Sequence, residues 1–431
     1  MSASGGARKY PTTDLQRIFI GNLPFKTNAA QLIEYLQIKQ ELSSGIADVQ
    51  VIMDNSGRSR GYGFVRVPVT MEEKILEFNQ KDFEGRKLKV EIARKGRHMA
   101  EDHYKFSDDG SGVYQSKPVK GGYVPAFLRD LRAQSWPAVI DIGANLTHRS
   151  LKNNVSEVSK KAKLFNIKKI IITGTSLRAS REAQQLAASD KGFFYFTAGV
   201  HPHDAKHWKD DTAEELEKLA QDPACVAIGE TGLDFDRNFS PPDVQEQVFE
   251  KQIQLACRLK KPLFLHERKA FDSLNKILDK YRDSLPRVVI HCFTGTVTEV
   301  RTYLDSGFYI GLTGFLCKDQ SSDGVITCLK EKIIPLDKLM IETDSPFLFP
   351  DVKKFSKTPK GQEIYKDEVK VELDKIQTLM LTQFCSGRRN EPCSLSLLNC
   401  IIASCMNVPP EEVAKATTEN ATSFFGLTSI V

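Results

Sequence analysis

No cysteine precedes Cys225 in this 431-residue chain. Eight more follow it at irregular spacing, nine in all, and none forms a Cys-x-x-Cys pair. An odd set of scattered thiols argues against a disulfide framework and for a reducing compartment. The segment Met1 to Thr13 is small and polar. It lacks an apolar h-region, so no secretory signal is expected. No run approaches the roughly 18 apolar residues of a membrane-spanning helix, so no membrane partner is expected either. An intracellular place, nucleus or cytoplasm, is expected. A large charge imbalance is also missing over most of the chain. Residues 1–100 hold 16 Lys/Arg against 11 Asp/Glu, so the whole excess of five lies there. That surplus is compatible with nucleic acid without requiring it. The length is enough for two or three domains with a large core.

The first domain is expected over residues 15–97. Arg17 to Ile20 reads as a strand ending in the Gly21-Asn22-Leu23-Pro24 turn. Asn28 is placed to cap a helix carrying Leu32, Ile33, Tyr35, Leu36 and Ile38. Val49–Met53 and Arg60–Val67 follow as strands, with a turn signal at Asp54-Asn55-Ser56-Gly57 between them. A second helix over Met71–Phe78 and a strand over Leu88–Ile92 complete a βαββαβ, ferredoxin-like order of the α+β class. Strand period 2 puts Tyr62 and Phe64 on one sheet face. Ile18 to Leu23 and Arg60 to Val67 resemble the two signature strands of the RNA recognition motif. The resemblance implies that Phe19, Tyr62 and Phe64 are exposed and stack on RNA bases, with Arg60 beside them. Val67 departs from the pattern, which more often has an aromatic there.

Residues 98–135 read as a flexible linker rich in Gly, Ser, Lys and Asp. Beyond them, over 136–431, eight short apolar runs alternate with helical patterns. They are Ala138–Ile142, Lys169–Thr173, Phe194–Gly199, Val226–Gly229, Leu263–Leu265, Val288–Ile290, Phe308–Gly311 and Leu339–Glu342. That count and size fit an α/β fold of the (β/α)8, TIM-barrel type. A doubly wound open sheet is the alternative. Four of the runs are followed by a metal-ligand residue type: Glu230, His266, His291 and Asp344. Barrel enzymes keep their chemistry at the C-terminal strand ends. Two imidazoles and two carboxylates gathered there would make a hydrolytic metal site.

The motifs Gly199-Val200-His201-Pro202-His203, Glu230-Thr231-Gly232-Leu233-Asp234, His266-Glu267-Arg268, His291-Cys292-Phe293-Thr294-Gly295, Glu342-Thr343-Asp344-Ser345-Pro346 and Arg389-Asn390-Glu391-Pro392 occur in this order. Together they resemble the TatD family of metal-dependent deoxyribonucleases, within the amidohydrolase-like barrels. The resemblance implies that Glu230 bridges two divalent metals. It places His266 and His291 on one metal and Asp344 on the other. It puts His201 and His203 near the substrate phosphate, with Asp344 also suited to take a proton from water. Arg268, Arg237 and the Thr294-Gly295-Thr296 backbone are candidates for phosphate oxygens. Many relatives carry His-x-His at the end of the first strand; here Gly143 and Asn145 stand in its place. A site poorer in imidazole suits two Mg2+ or Mn2+ better than tight Zn2+, which remains the other option. Residues 351–387 read as an excursion beside the barrel mouth.

The expected function is divalent-metal-dependent phosphodiester hydrolysis, DNase- or exonuclease-like, on DNA, RNA or a hybrid, with an RNA-binding module attached. A small-molecule hydrolase on the same barrel, or an RNA-binding adaptor with an inactive barrel, are the alternatives.

Overall fold

In a computed structural model, residues 15–37, 48–53, 59–68, 71–92, 136–385 and 389–428 are described. The linker expected over 98–135, and the end of the first helix at Ile38, lie outside them. The chain divides into two compact units, Met1–Asp130 and Leu131–Val431.

In the first unit, strands β1 (Leu15–Gly21), β2 (Asp48–Met53) and β3 (Ser59–Pro68) join β6 (Lys89–Ile92) in one antiparallel sheet of order β2-β3-β1-β6. A small hairpin of β4 (Asp82–Phe83) and β5 (Arg86–Lys87) is added to the expected order. Asn28 caps the helix Ala29–Tyr35 in a full capping box with Gln31, as its residue type demands. Ile18, Ile20, Val65, Val67 and Val90 fill the core under the sheet with Leu32, Leu36 and Ile75 from the helices. Val67 is thus a core residue. Its neighbours of opposite parity, Tyr62 and Phe64, face away from that core.

In the second unit, eight parallel strands form a sheet of order β14-β13-β12-β11-β10-β9-β8-β7. They are β7 (Val139–Ala144), β8 (Ile167–Ile172), β9 (Phe194–Ala198), β10 (Cys225–Asp234), β11 (Leu263–Arg268), β12 (Val288–Ile290), β13 (Tyr309–Leu312) and β14 (Leu339–Ile341). The first and last meet: Asp344 N–H donates to Gly143 O at 2.9 Å and Asn145 N–H to Ser345 O at 2.8 Å. Asp141 reinforces the seam. Its buried carboxylate accepts the Thr343 N–H at 2.9 Å and faces the Thr343 hydroxyl at 2.6 Å. The sheet is therefore a barrel and not the open alternative. Ile140, Ile142, Ile171, Phe264, Val289 and Met340 pack its interior. Phe424 and Phe425 of the last helix, Pro410–Phe425, join the same cluster. The helix binds the strand starts, with Asn420 Nδ2 donating to Leu336 O and Leu339 O. Only the opposite end, at the strand C-termini, is left for a site.

Two expectations change. Strand β10 does not stop at Gly229 but runs to Asp234, because its pairing with β11 resumes after a register shift between Ile228 and Thr231. The excursion after Asp351 starts at the mouth, where Val352–Phe355 packs on Gly314–Lys318. Its long helix, Asp367–Leu379, instead lies against the outer helix Leu395–Met406. Burial of Leu373, Ile376 and Leu379 drives that placement. Among the described residues, no single helix is long and apolar enough to cross a membrane.

Candidate metal centre and nucleic-acid face

Glu230 sits in the irregular stretch of β10, directly after Gly229. Gly229 has φ +145°, and a Cβ there would lie 2.3 Å from Phe264 O. A glycine is required, and it turns the next side chain into the barrel mouth. Three imidazoles converge on the buried Glu230 Oε1. His201 Nε2 lies at 3.2 Å, His266 Nδ1 at 3.0 Å and His291 Nε2 at 3.0 Å. The ligand atoms of His201, Glu230 and His266 lie within 4.8 Å of one another.

The histidines differ in protonation. His201 Nδ1 accepts the His203 N–H at 3.0 Å, so the proton of the neutral ring sits on Nε2. Burial pushes its pKa down to about 4. Burial also opposes charge on His291, but Glu342 and Glu230 outweigh it and hold the imidazole well above its ordinary value. At His266 burial is likewise outweighed, by Asp234 and Glu230, and the value is raised. For Glu230, burial is overcome by His201 and His291, and the carboxyl stays well below the usual range. Positive charge thus already collects around this carboxylate. His266 Nε2 is buried without a hydrogen-bond partner, 3.4 Å from Asp234 Oδ2. An orphaned imidazole nitrogen, a buried carboxylate and imidazolium protons standing where a cation would compensate charge together fit a divalent metal.

Asp344 follows β14 with φ +49°, a conformation Asp tolerates. Asn145 Nδ2 donates to its Oδ1 at 2.7 Å. Burial is the main cause of its pKa of about 7; Glu230 and Glu342 add to that and His291 opposes it.

Three residues without an assigned role prove structural to the site. Glu342 is fully buried. It receives His291 Nδ1 at 2.9 Å on Oε2 and the Cys292 N–H at 2.7 Å on Oε1. This leaves His291 Nε2 toward Glu230, as in many metal-binding histidines whose other ring nitrogen is held by a carboxylate. A Cβ on Gly143 would lie 2.2 Å from Glu342 Oε2, so the missing first-strand imidazole leaves the space this carboxylate uses. Asp234 takes His203 Nε2 at 2.6 Å on Oδ2 and the N–H groups of Asp236 and Arg237 on Oδ1. Asn145 holds Asp344. All three stand inside quoted motifs or the first-strand run, but only burial and proximity reveal their partners. Replacing Glu342 by glutamine presents an amide N–H to His291 Nδ1 and forces the ring proton onto Nε2. Divalent-metal affinity is then expected to fall roughly ten- to a hundredfold. Calorimetric titration checks this, and unchanged affinity would refute the orienting role.

Arg268 donates to Thr294 Oγ1 at 2.8 Å and lies over the Phe315 ring at 5.3 Å. Arg237 is exposed on the turn after β10 and is not among the side chains brought together. The Thr294-Gly295-Thr296 backbone is less free than expected. Thr296 N–H is held at 2.7 Å by Glu299 in the capping box of helix Val297–Asp305.

On the first unit, Phe19 lies 5.9 Å from Tyr62 and 5.7 Å from Phe64, ring to ring. Arg60 is exposed and its guanidinium sits 5.9 Å from the Tyr62 ring centre. Phe19 and Tyr62 are partly exposed, but Phe64 is only 5% exposed, against the exposure the resemblance implies. It packs beneath its two aromatic neighbours. A Cβ on Gly21 would lie 2.8 Å from the Phe19 ring, so glycine there lets that ring lie flat along the sheet.

The family model of TatD-related DNases matches residues 140–426, and that of the RNA recognition motif matches 18–89. A protein of Citrobacter rodentium named as a 3'-5' ssDNA/RNA exonuclease TatD is 38% identical over 290 residues, covering 67% of this chain and 98% of its own. One of the same name from Shigella flexneri is 37% identical over 289 residues, covering 67% and 99%. The crystal structure of a TatD-family hydrolase from Entamoeba histolytica superposes with TM-score 0.57 at 28% identity, covering 68% of this chain and 100% of that one.

Proposed function

Since this chain belongs to the TatD-related DNase family and also carries an RNA recognition motif, we propose that it trims single-stranded DNA or RNA from the 3' end, with its N-terminal sheet holding RNA. At the coarser level it is a metal-dependent nuclease with an RNA-binding module. The observation that carries the metal-dependent reading is the convergence of three imidazoles on Glu230 Oε1 at the mouth, and the 3' polarity is proposed from the similar exonucleases.

In this reading Glu230, His266, His291 and Asp344 hold the cation. When bound, a divalent cation supplies an activated water and neutralises charge on phosphoryl oxygens. His201 points its Nε2–H at Glu230 Oε1, because its Nδ1 is committed to the His203 backbone, and that N–H would be free for a phosphate oxygen once a cation takes the carboxylate. His203, oriented by Asp234, lies beside it. Asp344 is the proton acceptor for the attacking water. Arg268, fixed by Thr294 and Phe315, anchors another phosphate oxygen, and exposed Arg237 is available to the chain further out. Two Mg2+ or Mn2+ ions are proposed, with Zn2+ as the other option. The second ion is the weaker, since Glu342 fills the space beside Gly143 and Asn145 is tied to Asp344. The nine free cysteines support a reducing location, nucleus or cytoplasm. The adaptor alternative is disfavoured by the intact carboxylate and imidazole set. Oligonucleotides labelled at the 5' or 3' end, as DNA, RNA and duplex, with Mg2+, Mn2+ or EDTA, test this reading. Successive loss of 3' nucleotides is expected, and internal cuts or turnover in EDTA would overturn it.

For the N-terminal sheet, stacking on an aromatic contributes about 1–3 kcal/mol per base. The Phe19→Ala, Tyr62→Ala double variant is expected to weaken binding of single-stranded RNA at least about tenfold. Phe64→Ala should instead lower the melting temperature of this unit, because its ring is buried. Fluorescence anisotropy and thermal melts separate the two effects.

A further inference from the structure

We propose that Phe239 and Phe347 form a two-sided clamp for unpaired nucleobases across the barrel mouth, and thereby set the preference for single strands. This rests on the nuclease reading above and adds the residues that select the substrate. Single exposed hydrophobic residues are common and need no function. Chemistry and place distinguish these two. Among the described residues of the barrel unit, the large hydrophobic side chains left exposed are Leu164, Phe239, Phe347 and Val371. Leu164 ends the helix Val155–Leu164, and Val371 lies on the helix Asp367–Leu379. The two aromatic ones both stand on loops that follow strand C-termini.

Phe239 is 56% exposed in the loop after β10, and its ring meets His203 edge to face at 4.7 Å. Phe347 is 50% exposed and comes three residues after Asp344. Its N–H donates to Asp344 O at 3.0 Å, and its ring meets His148 edge to face at 5.3 Å. Strand β10 is fourth and β14 eighth in the closed ring, so their loops face each other across the mouth. Glu230 and Asp344 come from the same two strands. One ring therefore flanks each side of the centre, close to where a scissile phosphate would be held. Every base offers a π-face, so such rings grip a strand without reading its sequence. In a duplex those faces are already stacked on neighbouring pairs and are not presented. Single strands are thereby selected by what they leave uncovered.

The test uses the full chain carrying Phe19→Ala and Tyr62→Ala, so that the N-terminal sheet does not contribute. Phe239→Leu and Phe347→Leu are compared with Phe239→Trp and Phe347→Trp. Affinity for a short single-stranded thymidine oligonucleotide is read by anisotropy in EDTA, and KM and kcat with Mn2+. Each leucine variant is expected to weaken binding and raise KM roughly five- to a hundredfold, and the tryptophan variants to restore both. On an oligonucleotide with abasic sites beside the cleaved bond, the parent should already show that loss. The leucine variants should add little to it, because ring and base act as one interaction. Leucine variants that bind and cut like the parent, or losses that add fully to the abasic loss, would overturn the clamp. A parent that binds with clamp-dependent affinity but cuts nothing supports the clamp and sinks the nuclease reading instead.

Discussion

Glu230→Ala is expected to reduce kcat/KM on oligonucleotides by more than about a hundredfold and to abolish tight metal binding. Loss of a group that only orients a metal ligand costs roughly ten- to a hundredfold, and Glu230 is the carboxylate on which the ligands themselves converge. Removing it takes away the carboxylate that lies between His266 and His291 in the buried site. Each ring loses one of the two carboxylates that hold its value up, while Glu342 stays beside His291 and Asp234 beside His266. The barrel should persist, because Glu230 contributes only its carboxylate to the mouth while the packed interior and the helix Pro410–Phe425 lie below it. Rates with Mn2+, metal content after dialysis and a thermal melt check the three parts. Retention of more than a tenth of the parental rate would refute the central role of Glu230.

Raising the pH should destabilise the metal-free protein and strengthen its hold on metal. His266 and His291 have values above 6.5 in the folded chain, so they contribute stability that is fully present below the unfolded value. That stability is lost as pH rises from 6.5 through their folded values. Asp344, at about 7, and Asp141, raised to about 8 chiefly by burial, act in the same direction. Their folded forms keep protons that the unfolded chain has released. His201, pushed down to about 4, is neutral in both states above 6.5 and contributes nothing there. The melting temperature of the metal-free protein should therefore fall between pH 6.5 and 8.5. Metal must displace the imidazolium protons, so its apparent affinity should rise roughly tenfold per pH unit for each proton released. Titrations at pH 6 and 8 in buffers of different ionisation enthalpy count those protons. Affinity independent of pH would show that neither histidine is a ligand.

Much of this was legible because it depends on order along the chain. The capping box at Asn28 needs only a residue and its neighbour three positions on. The eight apolar runs, each bounded by polar residues, announce buried parallel strands. A ligand residue type after several of them announces where their side chains gather. The limits of β10 were not legible, since pairing across a register shift depends on β11. The burial of Phe64 was not either. Period 2 assigns a face, but how far two neighbouring rings cover a third depends on their rotamers.

By itself, the sequence determined the two kinds of domain, the barrel order and the candidate set Glu230, His266, His291 and Asp344, because periodicity and local residue chemistry suffice for these. Only the tertiary structure decided the partners. Glu342 locks His291 and occupies the space Gly143 leaves free, Asn145 ties down Asp344, and Asp234 orients His203. Asn145 and Gly143 come from the first strand and Asp344 and Glu342 from the eighth, and these meet only because the sheet closes on itself. Contacts made by closure carry no local signature, since the residues that make them are separated by as many as 202 positions in the chain.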